Sequence, residues 1–315
     1  MNAATRTLVD NKALFALLLL ATISAVLSPH FFSVDNALNI LRQTSINAII
    51  AMGVTFVILT AGIDLSVGSV LALTGAFAAT MTASGLSVAA SVPIALASGA
   101  LIGAVSGVVV AYGRVQAFIA TLVAMTMLRG ATLVFTDGRP VGIGSTEAAD
   151  LFWFIGGGYW LGIPVPIYLM FAVYAVCWAV LHHTRFGRYV YAVGGNEKVA
   201  RLSGINVNAI KIAVFAVSGT CAALAGIILT ARLGSAQPNA GFGYELDAIA
   251  AAVIGGTSLM GGRGRIFGTL IGALVIGVLN NVLNILDVSS YFQMIAKGAV
   301  ILLAVLVDSR TKPQQ

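Results

Sequence analysis

The chain has 315 residues, of which 59% are hydrophobic and only 9% charged. A water-soluble domain carries about 25% charged residues, so this sequence cannot clothe itself for water, and a soluble enzyme or nucleic-acid module is excluded. The net charge of +6 gathers at segment ends and in short loops, the pattern of a membrane orientation signal.

A helix that crosses a bilayer needs roughly 20 apolar residues. Near the start, Arg6 and Lys12 precede ALFALLLLATISAVLS. No clean A-x-A cleavage site follows, so this stretch is expected to remain as a first helix. The apolar runs predict ten helices, over 13–27, 45–61, 67–81, 88–111, 116–135, 164–181, 212–231, 246–260, 266–286 and 291–307. The expected class is an all-α polytopic membrane protein with one transmembrane domain over 13–308. Around Gly62 to Gly68 and around Gly255 to Gly264 the pattern is interrupted. Broken or re-entrant helices are expected there, since irregular backbone is tolerated at depth where protein or a cavity covers it.

Placing the N-terminus in the cytoplasm puts Arg6, Lys12, Arg114, Arg185, Arg188, Lys198, Arg201, Lys211, Arg263, Arg265, Arg310 and Lys312 inside. Outside stand Arg42, Arg139 and Arg232. Basic residues mark the cytoplasmic side. Residues 1–12 and 309–315 are therefore expected to be cytoplasmic, with 136–163 outside and 182–211 inside. The outer loop carries Asp137, Glu147 and Asp150, and its length suits a surface-lying segment. AIIAMGVTFVILTAGIDLSVGSVLALTG and AIAAAVIGGTSLMGGRGRIFGTLIGAL each place a Gly-rich break between apolar runs. Transporters use such paired breaks, although Gly- and Ala-rich sequence also produces them by chance.

Asp64 stands in TAGIDLSVGS, flanked by Gly62 and Gly68. Two readings stay open: a cap, with Ser66 and Ser69, on the helix that follows, or an element of gating. The run GGTSLMGGRGRIFG lacks the GK[ST] ending of a phosphate-binding loop. Arg263 and Arg265 are expected to support orientation. Arg129 and Lys297 fall inside spans and need partners, water or a route to the interface. Asn47, Asn280, Asn284 and Gln293 are candidates to line a polar pathway, alongside Gln43, Thr44, Gln116 and Asn281. Amides donate and accept, as sugar hydroxyls require; tying helices together is their alternative task. Asn280 and Asn284 are placed on one helical face.

Cys177 and Cys221 give neither a disulfide framework nor a zinc spacing, and His30 is separated from His182 and His183 by the membrane. No catalytic residue and no metal site is expected. The basic loop contains GGNEKVARLSG. Asn196 there can cap a helix with Glu197 in its first turn. That helix runs to about Ser203 and ends at Gly204, with Val199 and Leu202 on one face. It reads as a docking knob.

The phrases QTSINAII, ILTAGIDLSVGS, GRVQAFIATL, HHTRFGRYVYAVGGNEKVARLSGINV, GYELDAIAAAVIGGTSL and SSYFQMI resemble the membrane permease subunits of bacterial sugar ABC importers. They extend over essentially the whole chain and look closest to permeases that carry ribose. The resemblance implies an ABC importer permease fold in the bacterial inner membrane and import of a monosaccharide. Another pentose, galactose or a cyclic signalling sugar is the alternative to ribose, and a secondary transporter or channel is the alternative from outside the importer class. It implies a second permease copy, cytoplasmic ATPase subunits that use ATP and Mg2+, and a periplasmic sugar-binding protein. The chain itself binds no cofactor, and its other neighbour is membrane lipid, not nucleic acid. By the same resemblance, Asn196, Glu197, Val199, Ala200, Leu202 and Gly204 belong to the coupling helix that meets the ATPase.

The charge bias makes the topology testable. Tags near Asn2 and Gln315 should both be protected from protease added to intact spheroplasts. Cleavage of the C-terminal tag without lysis would reject an even number of crossings.

Overall fold

The computed structural model describes residues 12–27 and 31–310. Arg6, His30 and Lys312, with most of segment 1–12 and the tail beyond 310, lie outside the described residues. The chain is mainly helical: α1 Lys12–Leu27, α2 Val34–Leu59, α3 Val67–Ala83, α4 Val88–Tyr112, α5 Ala117–Thr136, α6 Glu147–Gly157, α7 Val165–His183, α8 Arg185–Gly195, α9 Glu197–Leu202, α10 Val207–Leu233, α11 Tyr244–Ile254, α12 Ile266–Ile285 and α13 Ser290–Arg310. The all-α expectation needs one correction. Two antiparallel ladders of two-residue strands are present, β1 Val141–Gly142 with β4 Ser235–Ala236, and β2 Tyr159–Trp160 with β3 Ile163–Pro164. They stitch loops together at the end of the bundle that holds α6.

A helix stands at each of the ten expected positions. Six of them, α2, α4, α5, α7, α10 and α12, are long and apolar enough to cross a membrane. Ala13–Leu27 and α3 are apolar but shorter. α11 has 11 residues, about 16 Å at 1.5 Å per residue, roughly half the hydrocarbon thickness.

Two boundaries differ most from the sequence expectation. α2 begins at Val34 and not near 45, because Ser33 caps it by accepting from the Asn36 amide at 3.2 Å. Asp35 sits in its first turn, where the helix dipole favours an acid. α11 stops at Ile254, where Gly255 and the positive-φ Gly256 turn the chain. Both interruptions are real: 60–66 separates α2 from α3, and 255–265 separates α11 from α12.

α2 and α10 form the centre. In the most apolar window of α2, 78% of residues are buried, against 11% in α5. α2 is thus wrapped by protein, while α5 presents its apolar side outward, as a lipid-facing helix does. α10 packs on α4, α2 and α3, while α11 and α12 pack on each other and on α2. α1 lies on α12, and α13 on α11.

The α4–α10 seam shows what sets these distances. α4 buries Ser91, Ala95, Gly99, Gly103 and Gly107, one every four residues. That stripe of small residues lets backbones approach, the main source of specificity between helices in lipid. A Cβ on Gly103 would collide with the Phe215 carbonyl oxygen, and one on Gly99 with the Gly219 carbonyl oxygen at 2.5 Å. Gly103→Val should therefore destabilise the protein by about 1–3 kcal/mol, the usual cost of overpacking. Gly130→Val is the control, since nothing lies within 4 Å of a Cβ there. Thermal unfolding in detergent checks this; a wild-type midpoint for Gly103→Val would contradict the seam.

Candidate functional site

The residues singled out from the sequence fall into two regions at opposite ends of the bundle, joined by α10. At one end lies the basic loop. Thr184 starts α8 by accepting from the Gly187 amide at 3.2 Å. α8 then buries Gly187, Val190 and Val193, three residues apart. Phe186 stacks on Phe56 of α2 with ring centres 6.2 Å apart. The Tyr191 hydroxyl donates to the Gly264 carbonyl at 2.7 Å. The Gly262 amide donates to the Leu59 carbonyl at 2.9 Å, so the second break caps the last turn of α2. Gly194 fits into that junction; a Cβ there would meet Leu59 O and Gly262 N. The basic loop and both transmembrane breaks therefore meet at one point.

α9 hangs from this junction. Asn196 Oδ1 accepts from the Val199 amide at 3.1 Å, as the sequence predicts, and Gly204 ends the helix with φ +82°. Ala200 is buried, which anchors the helix and removes it from the candidate docking face. Val199 and Leu202 are 56% and 88% exposed. Glu197 pairs with Lys211 at 2.8 Å and with Arg201 at 3.3 Å. Lys211, hydrogen-bonded to it, and then Arg201 hold the Glu197 carboxyl below its ordinary range. The Lys211 bond ties α9 to the first turns of α10.

Asp64 is buried within the first break. Its Oδ1 accepts from the Ser66 amide at 3.0 Å and the Ser66 hydroxyl at 2.6 Å. Its Oδ2 accepts from Ser218 of α10 at 2.8 Å. Thr121 of α5 donates to the Ile63 carbonyl at 3.0 Å. The cap expectation is corrected in part. Asp64 does hold the Ser66 backbone, but Ser66 makes no side-chain cap bond, and Ser69 donates to the Met125 carbonyl at 2.9 Å. The first turn of α3 is thus braced from outside. Gly62 and Gly68 serve close approach: a Cβ on Gly62 would crowd Val57, and one on Gly68 would strike Gly241 O and Glu245 Oε2. Arg129 donates to the Pro238 and Ala240 carbonyls, both at 2.8 Å, which answers how α5 accommodates a cation.

At the other end, α2, α10, α11, α12 and α13 enclose a polar cavity of about 190 Å³. Asn47 and Asn280 both line it, with Gln43, Thr44, Asp247 and Lys297. Lys297 Nζ lies 3.1 Å from Asp247 Oδ2, and Asn47 donates to the same oxygen at 3.3 Å. Asn47 Oδ1, Asn280 Oδ1 and Thr44 Oγ1 are buried with no hydrogen-bond partner.

Asn284 and Gln293 do not line this cavity. Gln293 donates to Asn284 at 2.8 Å and to the Val288 carbonyl at 2.8 Å, closing the turn between α12 and α13. Asn281 exchanges hydrogen bonds of 2.8 and 3.3 Å with Asn36, fastening α12 to the start of α2. The amide-rich turn of α12 thus divides between cavity and helix ties. Sequence reasoning misses Asp247 and α8. The signal that could have found Asp247 is an ionisable group within the apolar run YELDAIAAAV; its lysine partner is 50 residues away. Among the described residues no cluster of His, Cys, Asp or Glu has a geometry for a metal.

Residues 36–305 match the family described as branched-chain amino acid transport system / permease component. The chain belongs to this family. The permease is 64% identical to the ribose import permease protein RbsC of Haemophilus influenzae over 96% of this chain and 94% of that one. It is 63% identical to the ribose import permease protein RbsC of Escherichia coli K12, with the same coverage. With the D-allose transport system permease protein AlsC of Escherichia coli K12 it shares 43%, over 93% of the permease and 90% of the relative. No solved structure matches it. The family and the apolar helices make the permease a multi-pass membrane protein.

Proposed function

We propose that the permease is the membrane translocation subunit of an ATP-driven ABC importer in a bacterial inner membrane, and that its cargo is D-ribose. The observation that carries the substrate is the step in identity, 52–64% to ribose permeases against 43% to the D-allose permease. Two copies form the pathway, with ATPase subunits on the α9 side and a periplasmic sugar-binding protein on the α6 side. ATP and Mg2+ belong to the ATPase. The ten apolar helices cross or partly cross the bilayer. The distribution of basic residues supports cytoplasmic placement of 1–12, 182–211 and 309–315, with 136–163 periplasmic.

The geometry supports a mechanical route. α9 exposes Val199 and Leu202, which suit a groove on a partner. Its movement is passed to α10 through Glu197–Lys211. α10 holds Asp64 through Ser218 and reaches the cavity with Leu229 and Arg232. Lys211 to Arg232 spans about 30 Å of rigid helix. A push on α9 therefore reaches a break and a cavity without any loop in between.

Uptake into proteoliposomes holding the permease, its ATPase and its binding protein tests the substrate across a monosaccharide panel. ATP-dependent accumulation of ribose ahead of allose, xylose and galactose is expected. Preference for another sugar would overturn ribose.

V199D/L202D tests the docking face in the same vesicles. Insertion should be normal, because both side chains are exposed. Sugar uptake should fall at least tenfold, since two buried charges at an interface cost several kcal/mol. Wild-type uptake with wild-type ATP hydrolysis would remove α9 from the interface.

A further inference from the structure

The cavity at the α6 end has an unusual polar balance. Lys297 and Asp247 satisfy each other at 3.1 Å, and Asn47 adds its amide N–H to the same carboxylate. That bond fixes which end of the Asn47 amide faces the cavity. What remains is Asn47 Oδ1, Asn280 Oδ1 and Thr44 Oγ1, all buried and without partners. Thr44 itself is only 3% exposed. Unpartnered buried polar atoms are rare in folded proteins, because each costs about 1–3 kcal/mol. Three around one cavity point to something that occupies it.

The chemistry of that occupant can be read from the atoms. Two of the three are amide oxygens, which only accept. The occupant must bring donors. A carboxylate or a phosphate dianion could meet Lys297 and Arg232, which also line the cavity, but it would leave both amide oxygens without a donor. A solute with several neutral hydroxyls brings donors for both amides and acceptors for Thr44 and Lys297. The size agrees: about 190 Å³ has the room of roughly six water molecules at ~30 Å³ each, the scale of one sugar ring and not of an oligosaccharide. Gly277 lets α12 close onto Thr44 in the cavity wall, since a Cβ there would collide with Thr44 Oγ1.

We propose that this cavity is a binding subsite for a neutral monosaccharide, with Asn47, Asn280 and Thr44 meeting its hydroxyls beside the Lys297–Asp247 bridge. The proposal rests on the import function above and gives the sugar a foothold inside a single subunit. Lys297 comes from α13 and Asp247 from α11, so the bridge holds two walls of the cavity together. A hydroxyl inserted beside it competes for Lys297 and loosens α13 from α11. Occupancy of the cavity is thereby coupled to helix position.

The test uses the assembled transporter in proteoliposomes. Cys177 and Cys221 are replaced by Ala, and Asn280→Cys is introduced into that background. A membrane-impermeant methanethiosulfonate should modify N280C. Ribose at ten times its apparent affinity should slow modification about tenfold by mass action, and ribonate, which carries a carboxylate, should not. Adding Thr44→Val, which keeps the shape and removes the hydroxyl, should weaken that protection about three- to tenfold, as loss of one hydrogen bond does. If N280C does not insert, Thr44→Cys carries the same assay.

Equal modification rates with and without ribose, in vesicles that import ribose, would overturn the subsite and leave the three atoms to ordered water. Wild-type vesicles that import a different sugar would instead overturn ribose as cargo, and protection by that sugar would then decide the subsite. Vesicles that import no sugar would remove the import function, and the subsite with it.

Discussion

In a bilayer, apolar burial does not favour one helix packing over another, since lipid tails are as apolar as leucine. What distinguishes the native arrangement is how closely backbones can approach and which polar groups they join. This permease depends on that constraint throughout. Gly99, Gly103 and Gly107 set the α4–α10 seam, and Gly219 answers from the other side. Gly53 lets α2 lie against Cys221 and Ser218 of α10. Gly255 and Gly268 face each other between α11 and α12. The same device places Gly194 at the meeting of α8 with both breaks. The junction from which α9 hangs therefore rests on the packing rule that builds the bundle.

The buried ionic groups divide by how fully they are met. Asp64 receives three hydrogen bonds from two serines. Arg129 spends one nitrogen on two carbonyls of the segment before α11. Both behave as structural charges: their partners fix the loop 60–66 and the segment before α11. The Lys297–Asp247 pair differs. Breaking a buried pair leaves each charge uncompensated, which is costly, so it opens only when its surroundings supply replacement bonds. A cavity with unpartnered amide oxygens alongside it is such a surrounding once a hydroxylated solute enters.

Much of this was legible in the sequence, for particular reasons. The α9 cap was readable because Asn196, Glu197 and Gly204 carry local signals that need no tertiary contact. The two breaks were readable because glycine clusters interrupt apolar runs. The start of α2 was hidden, since Asp35, Asn36, Asn39, Arg42 and Gln43 read as a polar loop; the helix there survives through Ser33 and the Asn36–Asn281 pair. α8 was hidden because it is short and Gly187, Gly194 and Gly195 read as loop residues, although Phe186, Val190 and Val193 do form an apolar face. The split between Asn280 and Asn284 was invisible as well. Helical spacing puts them on one face, but the turn at Asp287, with φ +51°, brings Gln293 back onto Asn284 alone.

The placement of α10 links these observations. A helix that touched only the α9 end would pass a push into a loop, where it would dissipate in local backbone motion. α10 instead begins at the Glu197–Lys211 pair, grips Asp64 midway and ends beside the cavity. Its inner face is nearly all small or β-branched, with Ser218, Gly219, Ala222, Ala223, Ala225 and Gly226 buried. Such a face leaves little side-chain depth to interlock, so sliding or tilting against α2 and α4 displaces few atoms. Packed interfaces of this kind change by small shear steps and not by unfolding. The seam that makes α10 central to stability is therefore also the one on which it can move.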